Sequence, residues 1–93
     1  MVQLATLAHN VTYDGATLNV YHARKGQGIP RHQHPYAHLT VCHAGSCAVR
    51  KEGKELIMTK DTQPINLVAD GWHEIEALED GTVFVNVFAE GKY

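Results

Sequence analysis

Four of the chain's seven histidines, His32, His34, His38 and His43, fall within twelve positions, the densest concentration of reactive side chains in the sequence. His32 and His34 share one parity. In a β-strand, residues two apart point to the same face, so these two imidazoles can aim at one point. Pro35 cannot donate to a central ladder, which predicts that the strand ends or bends there. His38 would then arrive from the next strand, across a tight turn, as a third donor. Convergent neutral imidazoles gain little from one another, whereas imidazole is a common ligand for zinc, copper, iron and nickel. The spacing points to a bound metal ion; the blander reading is a fold that keeps the spacing without the ion.

The intervals Gly26, five residues, His32, one residue, His34, three residues, His38, six residues, Gly45 resemble the first signature of the cupin superfamily. His38 stands where that family usually has glutamate. The resemblance implies an all-β fold, a double-stranded β-helix or jelly-roll barrel, and a fourth metal ligand from a second signature downstream. His73, in the run Asp70-Gly71-Trp72-His73, occupies that place. The second signature matches less fully, because its glycine, proline and asparagine columns hold Asp70, Val68 and Ala77.

Exchange of glutamate for histidine has an electrostatic consequence. A carboxylate with three imidazoles would bring a divalent metal to net +1, whereas the four neutral imidazoles of His32, His34, His38 and His73 leave it at +2. The ion is then a stronger Lewis acid and holds an anionic ligand more firmly. Six-coordinate geometry leaves two positions for a chelating substrate, or for substrate and dioxygen. Tetrahedral zinc would instead close the site and make it structural.

Around these ligands, Tyr36 is expected to orient substrate or cover the loop, and Thr40 and Cys42 to line the pocket, with a core role the blander reading for Cys42. Trp72 is placed to wall the entrance or cap the barrel. His22 is read as facing inward, as a proton shuttle or a structural histidine. Arg31 and Arg50 are the nearest cations for a substrate carboxylate, although Arg31 has the wrong parity for the cavity. Cys42 and His43 are adjacent and so face opposite ways, which argues against a thiolate dyad.

The elements that must position these groups all read as β. An edge strand or arm is expected over residues 1–11, offering two subunits a place to pair, with turn formers from Asn10 to Gly15. Thr17 to Ala23 alternates as a strand, with Leu18, Val20 and His22 on one face. Gly26, Gly28 and Pro30 predict a loop. Strands follow over 38–44, 47–50, 56–59 and 64–68, with hairpin turns at Gly45-Ser46 and Glu52-Gly53-Lys54. His73, Ile75 and Ala77 share a face, Glu79-Asp80-Gly81 is a hairpin turn, and the apolar run 82–89 is a central strand. No stretch carries a helical apolar period.

Composition narrows the function classes. Ninety-three residues suffice for one domain, residues 1–93. The net charge of −2 with eight scattered Lys and Arg leaves no basic stripe for nucleic acid. No apolar run approaches the roughly 20 residues of a membrane span. Two cysteines are too few for a disulfide scaffold, and the expected location is cytoplasmic. The expectation is a metal-binding cupin, a homodimer holding one divalent ion (iron, manganese, nickel, copper or zinc). The resemblance implies an oxidoreductase of dioxygenase type, acting on a small oxygen-chelating molecule. The alternatives are a non-redox isomerase, lyase or small-molecule binder, and a sensory or structural domain held together by its metal.

Overall fold

The computed structural model describes residues 3–89, which form ten strands and, among the described residues, no helix. In chain order they are β1 (Gln3–Leu4), β2 (Thr6–Tyr13), β3 (Ala16–Ala23), β4 (Gln27–His32), β5 (His38–Ala44), β6 (Ser46–Lys51), β7 (Lys54–Thr59), β8 (Ile65–Leu67), β9 (His73–Ala77) and β10 (Thr82–Ala89). One five-stranded sheet has the order β1-β4-β9-β6-β7 and the other β2-β3-β10-β5-β8, so the long apolar strand β10 is central as expected. All pairings are antiparallel except that of β1 with β4. Among the described residues no helix is long and apolar enough to cross a membrane.

The two sheets face each other, and the space between them is filled in layers set by strand register. In the apolar layer, Tyr21 of β3 stacks on Phe84 of β10 with ring centroids 5.1 Å apart. Cys42 of β5 is the registered partner of Phe84 on the other side. Val49 pairs with Ile75, and Ile75 with Ile29, across the opposing sheet. The next layer is polar, with Asn19, Asn86 and Thr40 in register across β3, β10 and β5 and all three buried. Beyond it, Phe88 lies one step along the inward side of β10, His38 along that of β5, and His32 and His73 are paired on β4 and β9. The barrel thus runs from an aliphatic and aromatic core toward a histidine-rich end.

Several local expectations are corrected. The inward face of β3 carries Thr17, Asn19, Tyr21 and Ala23, not Leu18, Val20 and His22, and His22 is exposed. Hydrophobic alternation misled there because the interior accepts polar groups at this level while the outer face is aliphatic. Residues 10–13 continue β2, and the reversal is the two-residue Asp14-Gly15 turn, both at positive φ (46° and 85°). Such φ pairs suit the primed turns that match strand twist. Glu52-Gly53 (φ 50° and 74°) makes the same kind of turn between β6 and β7, whereas Lys54 already belongs to β7. Gly45 and the Glu79-Asp80-Gly81 segment are not hairpins. Each carries the chain from one sheet to the other, because β5 and β6, and β9 and β10, lie in different sheets.

The loop expected through Gly26, Gly28 and Pro30 is strand from Gln27. Gly28 is there because the backbone of β9 passes too close for a side chain: a Cβ at Gly28 would lie 1.8 Å from the Ile75 carbonyl oxygen. Pro30 falls within the register irregularity between Ile29 and His32, where no ladder donor is required. Gly28→Ala should therefore force β4 away from β9 and cost about 1–3 kcal/mol, the usual range for overpacking. Urea unfolding of the two proteins measures it; an unchanged midpoint would refute the close approach.

Candidate metal centre

Three elements bring the imidazoles together. His32 is the last residue of β4, its registered partner His73 is the first of β9, and His38 is the first of β5. His34 does not share a strand with His32, as spacing alone suggested; it lies in the 33–37 connection, where the chain leaves β4 ahead of Pro35. The ligand atoms of His32, His34 and His73 all lie within 4.8 Å of one another. His38 adjoins them, its ring centroid 5.0 Å from that of His34 and 5.4 Å from that of His73. His34, His38 and His73 are buried and His32 is partly buried.

The four rings are held alike. Nδ1 of His32 lies 2.8 Å from the Pro30 carbonyl oxygen, that of His34 2.8 Å from Tyr36, that of His38 3.2 Å from Leu39 and that of His73 2.9 Å from Gly71. A carbonyl only accepts, so each Nδ1 carries the proton and each Nε2 keeps its lone pair. Such outer hydrogen bonds fix the tautomer and aim of a ligating histidine. Nε2 of His73 is buried without a hydrogen-bond partner, which fits an atom that awaits an ion. Burial pushes His38 and His73 down to about 4, against the opposing pull of their carbonyl bonds, and neighbouring histidines push further in the same direction. Both are neutral at physiological pH, the form that binds metal. The donor set and its protonation suit a divalent ion, with His32, His34 and His73 as the cluster and His38 beside it.

The surroundings differ in part from the sequence reading. Tyr36 is partly buried and stacks on His34 at 4.5 Å, with its plane 15° from that of the imidazole. Thr40 is fully buried on the inward side of β5, and its Oγ1 has no hydrogen-bond partner; nor has Oδ1 of buried Asn86 beside it in register. Cys42 lies deeper, its thiol donating to the Ala44 carbonyl at 3.3 Å, and burial raises its pKa. It packs as core beside Phe84 rather than at the metal cluster. Trp72 is exposed, with the Arg31 guanidinium over its ring at 5.3 Å. Arg31 and Trp72 line a cleft of about 580 Å³ whose wall also includes His73 and Lys51.

Arg50 is not available to a substrate carboxylate. It points outward from β6 and is held by Glu55, Glu74 and Glu76 at 2.8, 3.2 and 2.8 Å. Its parity opposes that of Val49, which faces the core. Two nearby residues were not anticipated. Phe88 lays its ring 4.4 Å from His38 and 6.1 Å from His34, on the same inward parity as Phe84 and Asn86, which was the available signal. Lys51 is the registered partner of His73, its ammonium donates to the Asn66 carbonyl at 2.7 Å, and its charge adds to the downward push on His73.

No family model and no curated protein matches this sequence. Solved structures do. The chain is similar to KdgF from a Halomonas species, with a TM-score of 0.79 and 17% identity over 87% of this chain and 74% of that one. A protein with a double-stranded β-helix domain from Klebsiella pneumoniae gives 0.77 and 20% identity, covering 96% and 75% of the two chains. An RmlC-like cupin from Shewanella frigidimarina gives 0.73 and 14%, covering 84% and 68%.

Acid should weaken the metal-free protein through the two buried imidazoles. Free histidine in the unfolded chain titrates near the model-peptide value of 6.5, above the folded value of about 4 at His38 and His73. Below about 6.5 the unfolded chain therefore takes up protons that the folded chain refuses. Their contribution is complete above that pH and is lost as pH falls toward 4. Thermal melts in the presence of a chelator should show Tm dropping through this window, and a level Tm across it would contradict the neutral, buried assignment.

Proposed function

From a chain that has the cupin fold, we propose a metal-dependent oxidoreductase of dioxygenase type, acting on a small oxygen-chelating molecule with His32, His34, His38 and His73 holding one divalent ion. The single observation that carries this reading is the common anchoring of the four rings: every Nδ1 faces a backbone carbonyl, so that every Nε2 keeps its lone pair. Bound there, the ion would supply Lewis acidity toward a chelating ligand and, if iron, manganese or copper, a redox partner for dioxygen.

The residues around it do the positioning. Carbonyl bonds to Nδ1 hold the rings in one tautomer and raise their basicity. Phe88 and Tyr36 pack against His38 and His34 and keep water from that side. The buried Thr40 hydroxyl and Asn86 carbonyl oxygen offer polar partners to a bound molecule or to water. With Arg31 and Arg50 both turned outward, the countercharge for an anionic chelator is the metal itself, aided by Lys51 at the rim. The proposal includes a reducing, cytoplasmic setting, supported by two buried free thiols, Cys42 and Cys47.

Elemental analysis of protein purified without added metal should find close to one divalent ion per chain. His34→Ala should weaken retention by more than the roughly 10- to 100-fold that loss of an outer-shell partner costs. Full retention in that variant removes the assignment. Oxygen uptake by the iron-loaded protein with α-hydroxy acids, dicarbonyls or catechols separates the oxidative reading from its alternatives. Turnover without oxygen uptake indicates an isomerase or lyase, and ligand-induced thermal stabilisation without turnover indicates a binder.

A further inference from the structure

The polar row beneath the imidazoles is unevenly satisfied. Asn19, Asn86 and Thr40 lie side by side across β3, β10 and β5, all of them buried. Asn19 Oδ1 accepts from Asn10 Nδ2 on the edge strand, whereas Thr40 Oγ1 and Asn86 Oδ1 bond neither each other nor any other protein group. Nor do the flanking side chains along β5, β8 and β10 have a proton to give. The Cys42 thiol donates to the Ala44 carbonyl, the His38 Nδ1 proton faces the Leu39 carbonyl, and Ile65, Phe84 and Phe88 carry no polar hydrogen. Two buried polar atoms in this state cost free energy that a donor from outside the chain would recover. The pair stands next to the histidines. Thr40 is two residues, about 6.6 Å of strand, from His38 on the same inward side of β5. Asn86 is the same step along β10 from Phe88, whose ring lies 4.4 Å from that of His38.

We propose that Thr40 and Asn86 form the inner subsite of the ligand pocket and select chelating molecules that carry a hydroxyl group, α-hydroxy acids before α-keto acids. This rests on the four histidines holding a divalent ion, which fixes the head of the ligand beside them. The class follows from donor and acceptor chemistry. An amide oxygen only accepts, so the partner of Asn86 Oδ1 must bring an O–H or an N–H. Carboxylates, ketones and dioxygen have none to bring. An ammonium has one, but the ion would repel it. A hydroxyl donates one bond and accepts another, and Thr40 Oγ1 can supply the second. Where the hydroxyl oxygen of an α-hydroxy acid also ligates the cation, its proton becomes more acidic and its bond to Asn86 stronger. A pocket that bonds a hydroxyl rejects analogues without one, because its buried polar atoms are then left unpaired.

Titration of the cobalt(II)-loaded protein with lactate and with pyruvate, followed by its visible absorption, tests this. Cobalt content per chain is measured first in the native protein and in each variant. The native protein should bind lactate at least about 10-fold more tightly than pyruvate. Asn86→Leu should lower that ratio about 10-fold with cobalt content unchanged, and Thr40→Val should move it the same way. Thr40→Ser, which keeps the hydroxyl, should retain it. Should Asn86→Leu fail to fold by far-UV circular dichroism, Thr40→Val, which preserves the shape of the side chain, decides in its place. A ratio that stays put in the folded, cobalt-loaded variant overturns the proposal and leaves the pair to a buried water. So does a native protein that takes cobalt yet does not prefer lactate. A native protein that takes no cobalt removes the metal centre itself, and the inner subsite with it.

Discussion

Strand register is the constraint on which the histidine cluster depends. His32 and His73 are more than forty residues apart, and they meet because β4 and β9 are paired so that the last residue of one lies opposite the first of the other. A shift of one residue in that pairing would turn one imidazole to the outer surface, since side chains alternate with a period of two. The register is locked from several sides. Gly28 permits the close approach of the two backbones, Val49 and Ile29 flank Ile75 in the core, and Arg50 ties β6 to β7 and β9 through three carboxylates. The exposed ion pairs contribute modestly to stability in energy. Their greater effect is on alignment.

The interior is graded rather than uniformly oily. Phe84, Tyr21, Val49, Met58 and Ile75 provide the dense end, and the layer of Asn19, Asn86 and Thr40 separates it from the imidazoles. Buried polar groups cost free energy unless they find partners. Asn19 accepts a hydrogen bond from Asn10 of the edge strand. Thr40 Oγ1 and Asn86 Oδ1 lack such a partner, and His73 Nε2 lacks one too. A small domain carries this cost more readily when a bound ion stabilises the folded state. The same polar layer explains why β3 turns its threonine, asparagine and tyrosine inward and leaves Leu18 and Val20 outside.

Legibility in the sequence was uneven, and the unevenness has physical causes. Parity within a strand is local: the inward sides of β5 and β9 followed directly from alternation, and with them His38, Thr40, Cys42, His73 and Ile75. The turns at Asp14-Gly15 and Glu52-Gly53 are local as well, and Gly in each marked the chain reversal. Whether a turn closes a hairpin or crosses between sheets is not local. Gly45 and Gly81 look like hairpin glycines, yet each leads into the opposite layer, where the following strand pairs with strands distant in sequence.

What the sequence by itself determined is the β class, the barrel signature and the identity of the converging histidines, because these rest on residue type and on spacing within short segments. Tertiary structure alone decided how the rings are aimed, through backbone carbonyls that leave no trace in residue type. It decided that Arg50 belongs to an outer ion-pair cluster, that Phe88 and Lys51 adjoin the imidazoles, and that His22 faces water. Each depends on which strand lies beside which. Pairing between distant strands is set by the packing of the whole core, and no window along the chain contains it.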